Sequence, residues 1–221
     1  MKKTRLFLST LVIGALVASC GGESKSHDES HDEASHEGAN HDAAAPEMGN
    51  EAATWIVDSE GSNVKWTGGT SGAQVYSHFG SIAIKEGKFN TAVQELVGGA
   101  LVIDMTKISP EDEGYSDEHP AADLVGHLSS PDFFNVEANP TANFNITKIE
   151  GSEVTGDLTV RGITHEEKLM LEIMEVTPEN MHVKGNLQFD RQKYDVAWEH
   201  YLEDVILSDM ITLEFDINAT K

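Results

Sequence analysis

Alternation of apolar and polar residues is the feature that most constrains the fold of this chain. It recurs with a period of two at residues 101–105, 142–146, 183–189 and 211–217. A period of two places every second side chain on the same face of a β-strand, so each run predicts a strand with one buried face. Short turn signals such as Glu150-Gly151 separate the runs. The pattern therefore predicts an antiparallel sheet.

Only one stretch, near residues 120–129, interrupts the strands with a helical pattern, and Pro120 suits a first helical position. Strands that follow one another with little helix between them favour a sheet that closes on itself and loses its edges. We therefore expect residues 54–221 to form an all-β domain, an extended antiparallel β-barrel of about eight strands with one or two short helices. A barrel of that size has room for side chains and one small ligand.

Charge and cysteine content exclude several functions. The chain has 221 residues, with Asp+Glu 38 against Lys+Arg 15 and a net charge of −23. That charge repels nucleic acid and anionic lipid surfaces, so we expect no nucleic-acid partner. A single Cys excludes a disulfide framework. Because no hydrolase elbow, metalloprotease helix or phosphate loop occurs, we expect no enzymatic activity, no catalytic residue and no required cofactor.

The amino terminus has the order of a secretion signal. Lys2, Lys3 and Arg5 precede an apolar stretch at residues 6–17 that is too short to span a bilayer as a mature helix. Residues 17–20, Val-Ala-Ser-Cys, resemble a bacterial lipobox. The resemblance implies a lipoprotein signal peptide over residues 1–19 and lipidation of Cys20. An ordinary secretory signal with an incidental Cys is the alternative.

Residues 20–53 follow as a segment of Gly, Ser, Ala, His and acids with almost no aliphatic side chain, which predicts a disordered tether. Imidazoles beside carboxylates suit Zn, Cu or Ni, which makes four of its histidines weak candidate metal ligands: His27, His31, His36 and His41. The tether is therefore either a solvated spacer or the basis of an alternative function, metal buffering or a stress response in the envelope. No firm metal site is expected.

Ordered motifs across residues 54–221 resemble the YceI-like family. They are Trp55-Ile56-Val57-Asp58 with residues 62–66, then residues 78–80 and 87–89, the block at 123–135, and the motifs at 158–164, 189–195 and 204–207. Asp195 departs from the pattern because many members carry glycine there. The resemblance implies a lipocalin-like barrel in the bacterial cell envelope that carries a long amphiphile: an isoprenoid quinone, an isoprenoid phosphate or a fatty-acid derivative.

These expectations single out candidate residues for a lipid site. The tail would lie among apolar side chains, which could equally fill a solid core: Trp66, Phe79, Ile82, Phe133, Phe134, Phe144, Leu158, Leu171, Phe189, Leu213 and Phe215. Phe133 and Phe134 could gate the mouth of the barrel or plug its end. Head-group candidates are Arg161 and Arg191, because a guanidinium binds phosphate with two donors, and Lys193, Tyr194 and His127 are further donors.

The expected partners are accordingly a lipid ligand and a membrane, the latter reached through the N-terminal anchor. A homodimer is compatible with the sequence. The expected location is the outer membrane, on its periplasmic or its surface-exposed side.

Overall fold

The computed structural model of the protein describes residues 51–93, 95–200 and 202–221. The predicted signal peptide, the lipidation site Cys20 and the four tether histidines lie outside these residues. The first described strand begins at Ala53, beside the predicted start of the barrel domain at residue 54. No described helix is both long and apolar enough to cross a bilayer.

Eight antiparallel strands form a closed ring, which confirms the predicted barrel. In ring order they are β2 (Asn63–Gly72), β3 (Ser77–Ala92), β4 (Glu95–Pro110), β5 (Thr141–Glu150), β6 (Glu153–Val160), β7 (Ile163–Val176), β8 (Asn180–Asp190) and β10 (Met210–Thr220). The ring closes where β10 pairs with β2, with Leu213 opposite Trp66 and Phe215 opposite Val64.

Two short strands complete the wall at opposite ends. Strand β1 (Ala53–Val57) bridges β3 and β10 where β2 does not reach, and β9 (Val205–Leu207) pairs with the far end of β2. At the β1 end the Trp55 side chain is almost fully buried, and its Nε1 donates a hydrogen bond to Thr91 Oγ1 at 3.1 Å. Side chains therefore fill this end of the barrel.

The helices are short and lie at the other end. Helix α1 (Ala121–Ser129) occupies the predicted helical stretch, but Pro120 is its extended N-cap residue rather than its first helical residue. A 3₁₀ helix spans Arg191–Tyr194 and ends at Asp195, whose φ of 57° lies in the left-handed region. Glycine adopts that conformation at little cost and Asp tolerates it as a single residue, so either residue type fits this position.

Candidate functional site

An apolar cavity of about 240 Å³ lies in the half of the barrel below helix α1. Its walls come from the inward faces of the strands, and its cap comes from three segments: helix α1, the Phe133-Phe134 pair and residues 198–200. Alternation places the wall residues, because every second side chain of β5, β8 and β10 points inward. The barrel is therefore packed at the β1 end and hollow at the capped end.

Most of the predicted lining residues face this cavity. They are Trp66, Ile82, Phe133, Phe134, Phe144, Leu158, Phe189, Leu213 and Phe215. Phe133 is buried and its ring meets that of Phe134 edge-on with centroids 4.9 Å apart. The pair therefore forms part of the wall at the capped end.

Two predicted lining residues lie elsewhere, and the expectation for them is corrected. Phe79 is 37% exposed on the outer face of β3, where the Lys65 ammonium lies 5.6 Å from its ring centroid. Its neighbours His78 and Ile82 take the inward positions, since side chains alternate along the strand. Leu171 points inward, but it lines a second, smaller cavity nearer the packed end.

The second cavity measures about 40 Å³ and shares part of its lining with the first. Leu101, Phe144 and Phe215 line both cavities, so these three side chains form the partition between them. The Phe144 ring lies over Gly156, where a Cβ would come within 2.4 Å of its Cζ. Gly156 therefore provides the space that this ring occupies, and a larger residue there would displace it.

The two arginines predicted to hold a head group do not line the cavity. Arg191 is only 2% exposed and its guanidinium binds the segments that follow it in the chain. Its Nε donates to the Ser208 carbonyl at 2.9 Å, and its terminal nitrogens contact Asp209 and the carbonyls of Val196, Leu207 and Trp198. Arg191 therefore holds the segment that carries Trp198, a cavity residue.

Arg161 and the further donors have similar structural partners. Arg161 donates to the carbonyl of Phe133, which fixes the aromatic pair against the barrel. The Lys193 ammonium and the Tyr194 hydroxyl both contact Glu167 Oε1, at 3.0 and 3.1 Å. Burial and this carboxylate raise the pKa of Tyr194 well above its usual value. None of these three groups lines the cavity.

His127 does line the cavity, and its environment is unusual. The imidazole packs edge-on against Trp198 and Phe133, with ring centroids 4.5 and 5.5 Å away. Its Nε2 is buried and has no hydrogen-bond partner among the described residues. Burial lowers the pKa of His127, and the nearby Asp132 carboxylate opposes this only in part. The imidazole is therefore neutral at neutral pH.

A second imidazole, His78, is held at the cavity wall by a buried carboxylate. His78 Nδ1 lies 2.8 Å from Asp112 Oδ2, and the Tyr115 hydroxyl donates to Asp112 Oδ1 at 2.9 Å. Burial raises the pKa of the Asp112 carboxyl, but the hydrogen bonds from His78 and Tyr115 outweigh it and hold that pKa below its usual range. Burial and the same carboxylate raise the pKa of Tyr115 to about 12.

Several residues at the capped end were not predicted from the sequence. His78, His200, Tyr76 and Trp198 line the cavity, but they lie in loops and at strand ends where alternation gives no signal. Over the part of the chain that the structure describes, no group of three His, Cys, Asp or Glu side chains could hold a metal ion.

Comparison with known proteins gives a family and related folds. The YceI-like domain family matches residues 55–219. A UPF0312 protein of Staphylococcus epidermidis is 35% identical over 89 residues, which cover 37% of this chain and 51% of the relative. The chain thus spans about half the length of the curated relatives it matches.

Two solved structures share the fold at low sequence identity. BcnA of Burkholderia cenocepacia is 18% identical with a TM-score of 0.57, covering 74% of this chain and 99% of BcnA. A domain from Saccharophagus degradans, described as a polyisoprenoid binding domain implicated in plant cell wall breakdown, is 11% identical with a TM-score of 0.50. It covers 75% of this chain and 97% of its own length.

Proposed function

This chain belongs to the YceI-like domain family, and on that basis we propose that its barrel binds the apolar tail of an isoprenoid-type amphiphile. The observation that carries the proposal is the capped apolar cavity of about 240 Å³. An interior of this size that is lined by Leu, Ile, Phe and Met loses the packing contacts that a filled core would have. A bound hydrocarbon tail restores those contacts.

The energy of tail binding supports the same ligand class. Each CH₂ group taken from water into an apolar interior contributes about 0.8 kcal/mol. Branched isoprenoid units bring many such groups, and the aromatic wall formed by Phe144, Phe189 and Phe215 offers contact surface along the cavity. Sequestering a tail requires no bond to be made or broken, so a binding role needs no catalytic group. The polyisoprenoid-binding description of the Saccharophagus neighbour is consistent with this ligand.

We further propose that the barrel acts as a carrier tethered in the cell envelope through Cys20. Several acyl chains on that residue would hold the protein stably at a membrane that its negative charge would otherwise repel. The tether would let the barrel reach a lipid and withdraw with it. A Cys20→Ala variant of the full chain should leave the membrane fraction, whereas retention of that variant at the membrane would contradict anchoring through Cys20.

Native mass spectrometry of the full chain tests tail binding directly. The protein is incubated with a bacterial envelope lipid extract, separated from free lipid and sprayed under conditions that preserve complexes. We expect a retained species whose mass corresponds to an isoprenoid amphiphile. A chain that retains no lipid from the extract, and none from pure isoprenoids offered in excess, would contradict the proposed function.

A further inference from the structure

Exposed apolar side chains lie at the capped end of the barrel, on two segments that contact each other. Val75 is 80% exposed in the turn between β2 and β3, Ile206 is 61% exposed on β9, and Leu202 is exposed just before β9. Strand β9 pairs with the end of β2, and the Ala73 N–H donates to the Asp204 carbonyl at 2.9 Å. Single apolar residues on a surface are ordinary, but a group of them at one place marks an interaction site.

The wall of the main cavity reaches the molecular surface at the same place. Tyr76, beside Val75, lines the cavity and is also exposed. Thr70 and Leu207 lie opposite each other on β2 and β9, and both line the cavity. Because side chains alternate along a strand, Ile206 points outward beside them. The two segments therefore form cavity wall on one face and carry exposed apolar side chains on the other.

The charges at this place restrict the surface that it can contact. We call residues 70–77 and 202–207 together the apolar rim. Residues 70–77 include no charged residue, and residues 202–207 include two exposed acids, Glu203 and Asp204, but no Lys or Arg. The loop at residues 111–118, which hydrogen-bonds to the start of β3, adds five more acids. Carboxylates repel an anionic surface but attract the ammonium group of a zwitterionic lipid such as phosphatidylethanolamine.

The length of chain that precedes the barrel allows the apolar rim to reach a membrane. Strand β1 begins at Ala53, at the packed end, and position 53 is 33 residues after Cys20. A chain of that length spans at most about 110 Å. Strand β3 has 16 residues and is therefore about 53 Å long. A chain anchored through Cys20 can thus turn its capped end towards the bilayer.

We propose that the apolar rim docks on the surface of a zwitterionic bilayer. Val75 and Ile206 would lie at the acyl boundary, and Tyr76 at the level of the head groups, where tyrosine is enriched in membrane proteins. This inference rests on the proposed tail-binding function for its purpose, since a tail that leaves the bilayer at the rim enters the cavity without crossing water. Docking itself requires no bound tail.

A fluorescent label at the apolar rim reports docking even in a chain that other segments hold at a vesicle. Cys20 is the only Cys, so the full chain with Cys20→Ala and Val75→Cys carries one thiol for the dye NBD, whose emission rises in apolar surroundings. The matched control carries Val93→Cys instead, the same change at an exposed valine after β3, at the packed end. The vesicles contain phosphatidylcholine and phosphatidylethanolamine, without isoprenoid.

We expect the label at position 75 to brighten with these vesicles and to be quenched by a nitroxide-labelled lipid, while the label at position 93 shows neither effect. No response at position 75, or a larger one at position 93, would overturn the proposal. Brightening that rises with protein concentration in the absence of lipid would overturn it too, because a second copy would then cover the apolar rim. A response only to vesicles rich in anionic phosphatidylglycerol would contradict the charge argument.

A substitution at the second exposed residue tests the rim independently of the label. Added to the chain labelled at position 75, Ile206→Gln should weaken vesicle binding of the label about tenfold, because one apolar side chain is no longer taken out of water. The matched control is Ile56→Gln, the same change at an exposed isoleucine of β1, which should leave that binding unchanged. Equal effects of the two substitutions in folded chains would refute the role of the apolar rim.

Docking and tail binding fail separately in these experiments. If the label does not respond while native mass spectrometry shows retained lipid, docking fails and tail binding stands. If the label responds but the chain retains no lipid, the apolar rim is a membrane-binding surface and the proposed tail-binding function fails.

Discussion

A series of primary alcohols that differ only in tail length probes the capacity of the main cavity. An engineered apolar cavity of about 150 Å³ accommodates one benzene molecule, six carbon atoms. By proportion, the cavity of about 240 Å³ in this barrel accommodates about ten carbon atoms. Each added carbon within that limit contributes about 0.8 kcal/mol, which lowers the dissociation constant about fourfold. Beyond about ten carbons the affinity should level off, because the next atoms meet the partition formed by Leu101, Phe144 and Phe215.

The assay is a titration followed by tryptophan fluorescence, since Trp66 and Trp198 both line the cavity. Alcohols from four to sixteen carbons cover both sides of the limit of about ten carbons expected from the volume. The variant Phe144→Ala removes part of the partition and should shift the plateau to longer tails by joining the two cavities. Two results with the wild type would refute the reasoning. One is an affinity that is independent of tail length. The other is an affinity that keeps rising with an undiminished slope to sixteen carbons, about six beyond the limit.

Three further predictions concern the groups around the cavity. Arg191→Met should lower the free energy of unfolding by roughly 3 kcal/mol, because it leaves several buried carbonyls without their donor. Lys168→Met removes only an exposed ion pair and should lower it far less; urea unfolding compares the two variants. The pKa of His127 is lower in the folded chain than its ordinary value of about 6.5. The unfolded chain therefore binds the proton more tightly. The free energy of unfolding should consequently fall as the pH drops from about 6.5 towards the folded pKa. His127→Phe should lose less stability than the wild type between about pH 7 and pH 5 in thermal melts, and equal losses would contradict this origin. Asp112→Asn should lower the pKa of Tyr115 from about 12 towards its ordinary value. An alkaline titration followed by tyrosinate absorbance detects this change. An unchanged titration would exclude the Asp112 carboxylate as a cause of the raised pKa.

The wall of the cavity was predictable because side chains in a strand alternate regardless of what packs against them. Residues 142–146 and 211–217 show a clear period of two, and their apolar members point inward. Phe79 was misplaced because an aromatic residue is a good core candidate by composition alone. Its position on the strand, one residue after the inward-facing His78, decides otherwise.

The cap was less predictable because it depends on contacts between distant segments. Arg191 is a plausible phosphate ligand by chemistry, but the carbonyls it binds lie between residues 196 and 208 and become available only when those loops fold around it. His127 lies in the family block at residues 123–135, and the sequence predicted it only as a further donor to a head group. The unpaired Nε2 follows from the aromatic rings that surround it, and one of these, Trp198, is contributed by a loop.

The proposed function requires a ligand tail to occupy the space inside the barrel, and a pair of matched substitutions tests this most directly. Ala142 lines the cavity, whereas Ala83 is exposed on the outer face of β3. Native mass spectrometry of the full chain with geraniol should show a complex for the wild type and for Ala83→Phe. Ala142→Phe should lose most of that complex, because the new ring would occupy the cavity. Undiminished binding by a folded Ala142→Phe chain would mean that the ligand binds elsewhere, and it would contradict the account.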